Sequence, residues 1–156
     1  MFIRPLTPQD APQFKSWRNP EQDGDLDYLL EMEIEEHFSG KRLLFVGELK
    51  GRLVGTLQLV YKHADPLMAD GVKSGYLQAL EVRPQFRRKG LASLLLDRIE
   101  LEAKKRGLHR LTLMVEPENE AALKLYLKRG FRIFKDSTYT WQGEQAATHC
   151  LEKALG

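Results

Sequence analysis

Residues 83–96 read RPQFRRKGLASLLL: three consecutive cations and a glycine, then an apolar run with the composition of a helix. The order is electrostatically inverted. The first turn of a helix exposes N–H groups and the positive end of the dipole, so Arg87, Arg88 and Lys89 at that end each cost about a few tenths of a kcal/mol. A bound anion reverses the sign, because phosphate oxygens are attracted by the amides, the dipole and the side chains together. Gly90 suits such a cradle by letting the backbone approach a ligand without a Cβ. The competing reading is a solvated basic loop with Gly90 as a turn residue, and the stretch alone leaves both open.

Upstream, Gly75–Val82 reads as a long strand, which Arg83-Pro84 ends because a residue before proline avoids the helical region. Downstream, Gly90–Arg106 reads as a helix with Leu91, Leu94, Leu95, Ile99 and Leu101 on a broad apolar face and Lys104, Lys105, Arg106 and Gly107 as its C-terminal signature. Leu111–Val115 reads as a buried strand, which completes a strand-helix-strand crossover expected to be right-handed.

Working outward, Phe2–Pro5 is a short strand, and Thr7-Pro8 opens a helix to about Arg18. Leu26, Leu29, Leu30, Ile34 and Phe38 recur at helical spacing, and Ser39-Gly40 ends that helix. Leu43–Leu49 and Leu53–Tyr61 form a hairpin around Lys50-Gly51. His63–Ser74 is a polar loop. A last helix runs from Asn119 or Glu120 to Arg129 and is closed by Gly130, with Phe131–Phe134 and Ala147–Leu151 as closing strands. The order is mixed α/β.

A chain of 156 residues fits one domain, 1–156, able to bury a core without staples. Hydrophobic content of 42% against 29% charged is that of a soluble globular protein, with no linker or repeat. The start, MFIRPLTPQD, lacks a leader pattern, and no apolar run reaches the length of a membrane span, so the expected setting is cytoplasmic, with no membrane partner. The single cysteine, Cys150, has no internal disulfide partner. The four histidines are scattered without ligand spacing, so no metal is expected.

A net charge of +2 is too small to announce a nucleic-acid partner, but the charges are segregated. Glu21 to Glu36 holds eight acidic and no basic residues, whereas Arg83 to Arg110 holds nine basic and three acidic ones. There is no Gly-x-x-x-x-Gly-Lys-Ser/Thr and no Gly-x-Gly-x-x-Gly, which removes the common nucleotide-binding loops.

Leu80-Glu81-Val82-Arg83-Pro84 followed by Arg87-Arg88-Lys89-Gly90-Leu91-Ala92 resembles the Gln/Arg-x-x-Gly-x-Gly/Ala signature of the GCN5-related N-acetyltransferase (GNAT) superfamily. Asn119, Ala122, Tyr126, Gly130 and Phe131 are similar to that family's second helix motif, Asn-x-x-Ala-x-x-x-Tyr-x-x-x-Gly-Phe, at matching spacing. The element order agrees from Phe2 to Leu151. The resemblance implies an α/β (α+β) fold with a mixed, mostly antiparallel central sheet flanked by helices, its strands splayed to admit acetyl-CoA. It further implies a single acetyltransferase domain, a monomer or homodimer, that passes an acetyl group from acetyl-CoA directly to a primary amine.

By the same resemblance the diphosphate lies on Arg87, Arg88, Lys89, Gly90, Leu91 and Ala92, with Ser93 able to add a hydroxyl. Pantetheine runs beside Leu80 and Val82, whose backbone would lack a strand neighbour and would help hold the oxyanion. Tyr126 is the expected proton donor to the sulfur, and Asn119 contacts the coenzyme or caps its helix. Some relatives carry a glutamate as general base where this chain has Met114, so Glu81, Glu116 and Glu118 remain as nearby carboxylates, with Glu81 placed in the catalytic set. Tyr126 as core packing against Phe131, and Asn119 as a plain cap, remain alternatives.

The acidic segment lies where the family builds its acceptor wall, which suggests a cationic acceptor; a solvated helix face is the slightly favoured reading. Two other functions fit the same residues. One is an acetyl-CoA sensor without turnover, suggested by Met114. The other is a nucleic-acid-binding module using Arg87–Lys89 and Lys104–Arg110, which the acidic segment opposes.

Overall fold

A computed structural model describes residues 1–156, the side chain of Trp141 excepted. Its elements are β1 (Phe2–Pro5), α1 (Ala11–Arg18), α2 (Gly24–Phe38), β2 (Arg42–Leu49), β3 (Arg52–Val60), β4 (Ser74–Val82), α3 (Leu91–Lys105), β5 (Arg110–Val115), α4 (Glu120–Lys128), β6 (Arg132–Trp141) and β7 (Glu144–Ala154). Single 3-10 turns at Pro8–Asp10 and Pro84–Phe86 precede α1 and α3. The fold class is mixed α/β: β1 with β2, β2 with β3, β5 with β7 and β6 with β7 pair antiparallel, and β4 with β5 in parallel. Two compact units share the chain, each made of two stretches: Met1–Val60 with Ala79–Glu102, and Tyr61–Gln78 with Ala103–Gly156.

In the first unit β1, β2 and β3 are antiparallel neighbours, and the β2–β3 turn places Lys50 and Gly51 at positive φ, the two-residue turn that matches strand twist. Leu6, Phe14, Leu30, Ile34, Leu44, Val46 and Leu53 form one core cluster, with Ala11, Trp17 and Leu26 against it. Asp23 caps α2 by accepting the Leu26 N–H at 2.8 Å. Arg4 ties β1 to Asp10 at 2.6 Å and to Glu48 at 2.7 Å. His37 has both ring nitrogens occupied: Nδ1 accepts the Leu44 N–H, and Nε2 donates to the Leu6 carbonyl at 2.9 Å. Its role is structural.

The buried stripe of α3 is narrower than its leucine content suggests. Leu91, Leu95, Leu96 and Ile99 are buried, whereas Leu94 and Leu101, expected on the apolar face, are about half exposed. Positions 91, 95 and 99 are four apart, and 94 and 101 fall to the flanks of that row. Phe38, expected in the core row of α2, is likewise half exposed at the last turn, while Glu33 is buried.

In the second unit β4 pairs in parallel with β5 over Ser74–Leu77 and Arg110–Leu113 only. Strand β5 pairs antiparallel with β7, and β7 with β6. The closing strands are much longer than the expected Phe131–Phe134 and Ala147–Leu151. They form a hairpin turning at Gln142 and Gly143, both at positive φ. Among the described side chains none from Lys135 to Ala147 is buried, so burial leaves no apolar signal there beyond the turn dipeptide. Leu77, Leu111, Leu113, Val115, Phe131, Cys150 and Leu151 are among the buried apolar residues of the second unit. Among the described residues no helix is long and apolar enough to cross a membrane.

Candidate active site

The first unit carries the basic loop. Arg83 anchors it: its N–H donates to the Val54 carbonyl at 2.8 Å and its Nε to the Leu53 carbonyl at 2.6 Å, while its guanidinium lies 4.8 Å from the centre of the Trp17 ring. After the 3-10 turn the backbone alternates, with Arg87 at φ −72, Arg88 at φ +62 and Gly90 at φ +81. Such alternation gathers successive N–H groups into a concave anion site. The α3 ladder begins with Leu94 N–H to Gly90 carbonyl at 3.1 Å, so the amides of Leu91 and Ala92 precede it. A Cβ built on Gly90 meets nothing within 4 Å, and the loop from Arg87 to Gly90 is exposed. The residues present fit a diphosphate: amides, exposed cations at Arg88 and Lys89, and open space over the glycine.

Arg87 differs from its two neighbours. Its Nε donates to the Val82 carbonyl at 2.8 Å and its Nη2 to Glu81 at 2.9 Å, so its guanidinium braces the loop. The Val82 carbonyl, expected to lack a strand neighbour, has this internal donor. Lys89 packs over the Phe86 ring at 5.8 Å. Glu81 faces two guanidinium groups, Arg87 and, at 3.9 Å, Arg18. One further feature was absent from the sequence reading. Ala79, in the middle of β4, has φ +56, a left-handed conformation that costs a non-glycine residue about 1–2 kcal/mol. No residue type flags it, because alanine is compatible with any strand pattern.

The second unit carries four of the five tyrosines. Asn119 caps α4, its side-chain oxygen accepting the Ala122 N–H at 3.2 Å. Tyr126 is buried edge-on against Phe131, ring centres 5.7 Å apart, so the packing role is realised. Burial, with a smaller contribution from Tyr76, pushes the Tyr126 phenol up to about 12. A cleft of about 620 Å³ is lined by residues from five segments, among them His63, Asp65, Tyr76, Met114, Glu116 and Tyr139. The rings of His63 and Tyr76 lie tilted at 58° with centres 4.6 Å apart, and burial raises the Tyr76 phenol to about 12. The Tyr139 hydroxyl donates to Glu116. Asp65 pairs with Lys135 at 2.9 Å, and that contact holds its carboxyl below the usual range. Cys150 is buried and burial pushes its thiol up, the reverse of what a nucleophile needs.

The expected site residues therefore divide. Leu80, Glu81, Val82 and Arg87 to Ser93 lie in the first unit, and Asn119 and Tyr126 in the second. Tyr76 and Tyr139 carry no motif that marks them, and His63 and Asp65 belong to the polar loop His63–Ser74, long enough to touch a ligand but with no residue singled out. A signal for Glu116 existed: Thr112, Met114 and Glu116 alternate, and Pro117 holds Glu116 extended beyond the strand. Among the described residues no group of three or more His, Cys, Asp or Glu side chains is arranged to hold a metal ion.

The acidic segment is partly neutralised from within its own unit. Lys15 pairs with Asp27 at 2.9 Å and with Glu31, and Arg42 pairs with Glu33 at 3.7 Å and Glu36 at 3.1 Å. Gln58 also donates to Glu33 at 2.9 Å. Four of the eight carboxylates thus have cationic partners inside the fold, which lowers the field available to steer a cationic acceptor.

Residues 10–131 match the model of the acetyltransferase (GNAT) family. Acetyltransferase YE1169 of Yersinia enterocolitica is 34% identical over 99 residues, 63% of this chain, and the aligned part spans 64% of that relative's length. The ribosomal-protein-alanine N-acetyltransferase of Brucella melitensis has a similar fold, with a TM-score of 0.82 at 22% identity over 99% of this chain and all of that one. The structure of yncA from Salmonella typhimurium, with its cofactor acetyl-CoA, gives a TM-score of 0.79 at 20% identity, covering 100% of this chain and 94% of the other.

Proposed function

We propose, for a chain that belongs to the acetyltransferase (GNAT) family, the transfer of an acetyl group from acetyl-CoA to a primary amine. The observation that carries this reading is the loop at the start of α3. Positive φ at Arg88 and Gly90, amides ahead of the helical ladder and open space over Gly90 together make an anion cradle. In this reading the amides of Leu91 and Ala92 and the side chains of Arg88 and Lys89 hold the coenzyme's diphosphate, with Ser93 at the same helix start. Arg87 shapes the loop through Val82 and Glu81. Acetyl-CoA supplies the activated acyl group as a thioester.

Tyr126 serves the leaving sulfur. A phenol raised to about 12 stays protonated at every working pH, yet it is a weaker acid than a thiol of about 8.5. Its part is therefore to donate a hydrogen bond that stabilises the developing thiolate, with solvent completing the thiol. Backbone amides near Val82 hold the oxyanion. The acceptor is a small amine or a peptide amino terminus, the latter in line with the substrate named for the Brucella structure.

Met114, which lines the cleft where some relatives place a base, favours a second reading, an acetyl-CoA sensor without turnover. Titration calorimetry with acetyl-CoA, followed by a free-thiol assay over polyamines, aminoglycosides and short peptides, separates the two. Binding with amine-dependent thiol release is expected. Binding without release for every amine supports the sensor, and no binding at all overturns both.

A further inference from the structure

Met114 leaves the reaction without a proton acceptor at the position some relatives use, and the cleft of the second unit offers a replacement two residues along. We propose that Glu116, held by the Tyr139 hydroxyl, binds the acceptor's ammonium group and takes its proton; this rests on the acetyl-transfer reading above.

Three observations select Glu116. Its backbone is fixed: Pro117 keeps it extended, its carbonyl accepts the Asn119 N–H at 2.9 Å, and the Thr148 hydroxyl donates to the preceding Val115 carbonyl at 3.2 Å. Residues 114 and 116 then face the same cleft, and both line it. Its side chain is fixed too, because the Tyr139 hydroxyl on β6 donates to one carboxylate oxygen and leaves the other for a ligand. Tyr139 reaches it across β7, where its direct partner is the small Ala146.

The other titratable groups facing the cleft are committed elsewhere. Asp65 has Lys135 as a counter-ion at 2.9 Å. His63 Nδ1 accepts the Asp65 N–H at 2.9 Å, so its neutral ring carries the proton on Nε2 and is a donor. Tyr76 and Tyr139 are phenols, and Glu118 acts on Tyr139 from the turn. Glu116 is thus the lining carboxylate whose partner is an uncharged hydroxyl. Tyr76, His63 and Tyr139 add aromatic faces suited to an ammonium.

The proton balance is simple. An ammonium is a far weaker acid than a carboxyl group, so Glu116 first holds R–NH3+ as an ion pair. One proton leaves through Glu116 to solvent, and the nitrogen lone pair forms the N–C bond. The C–S bond then breaks with its electrons on sulfur. The second nitrogen proton is lost as the amide forms, the thiolate takes one proton from solvent, and one proton is released per turnover. Tyr139 is a positioning residue.

The test uses the full chain and the fastest acceptor of the amine panel. Glu116→Gln is expected to lower kcat/KM by about 100-fold or more, the usual contribution of a general base. Acetyl-CoA affinity should stay within about twofold and the melting curve should be unchanged. In this variant kcat/KM should rise about tenfold per pH unit, tracking the neutral amine, more steeply than in the parent protein. Glu116→Ala should regain activity with added formate. Tyr139→Phe should lower kcat about 3–10-fold with acetyl-CoA KM unchanged. Wild-type kcat/KM and pH dependence in Glu116→Gln, with acetyl-CoA bound normally, overturn the proposal and leave acetyl transfer standing. Loss of acetyl-CoA binding by the unaltered protein removes the transfer reading itself.

Discussion

The loop before α3 and the cleft lined by β5 and β6, the two halves of the proposed site, are built by opposite means. The loop works with backbone: its distinguishing features are the φ angles of Arg88 and Gly90 and amides that precede the helical ladder. The cleft works with side chains from five segments, fixed by contacts such as Tyr139 with Glu116 and His63 with Tyr76. A backbone site needs a local run of residues of defined type, so it leaves a motif. A side-chain site is assembled by topology and leaves none. The two should therefore answer differently to mutation.

The largest effect is expected at the loop. Gly90→Asp adds a negative charge and bulk where a Cβ now meets open space, and acetyl-CoA affinity measured by calorimetry should fall on the order of 100-fold. Gly90→Ala, which adds only a strained methyl, should lose much less. Next comes Tyr126→Phe, which keeps the buried ring against Phe131 and removes the hydroxyl. It should lower kcat about 10–100-fold while acetyl-CoA KM holds. Collapse of binding instead would make Tyr126 a packing residue only.

A smaller effect separates the two carboxylates. Glu81 sits between Arg87 and Arg18, so Glu81→Gln should change kcat/KM by about threefold or less, far below Glu116→Gln, and leave the pH profile alone. A larger loss at Glu81 than at Glu116 would move the proton acceptor to the first unit.

The smallest effect concerns stability. Hydrogen bonding to Arg4 holds the Asp10 carboxyl down to about 2. In the second unit, backbone N–H groups of Ser74, Val72 and Lys73 hold Asp70 at about 2. Depressed carboxylates stabilise the fold above the unfolded value of about 3.9, and that contribution disappears as pH falls toward 2. Asp10→Asn should cost about 1–2 kcal/mol at neutral pH. Denaturant melts from pH 7 to pH 2 should show the gap between variant and parent closing over the last two units.

The same contrast explains what could be read from the chain. The crossover around residues 83–96 was legible because a strand, a proline, a cation run, a glycine and an apolar helix follow in one order. The β2–β3 hairpin was legible from Lys50-Gly51. Of the long hairpin of β6 and β7 only the inner ends were legible, since none of the described side chains from Lys135 to Ala147 is buried. Leu94 and Leu101 were assigned to the core because apolar spacing says nothing about which flank of a helix meets the sheet. The motif marks Arg87 as a phosphate ligand, and its further bond to the Val82 carbonyl depends on a loop shape no motif encodes. Glu116 is one of three candidate carboxylates, with Glu81 and Glu118, and only its partner Tyr139 sets it apart.

The central claim is that the backbone loop before α3 grips a diphosphate. Calorimetric titration of the protein with acetyl-CoA and, in parallel, with S-acetylpantetheine, which carries the same thioester without the diphosphate, tests it most directly. The account predicts binding of acetyl-CoA at least about 100-fold tighter than of the truncated donor, weakening as salt is raised. Equal affinity for the two, or none for acetyl-CoA, would contradict it.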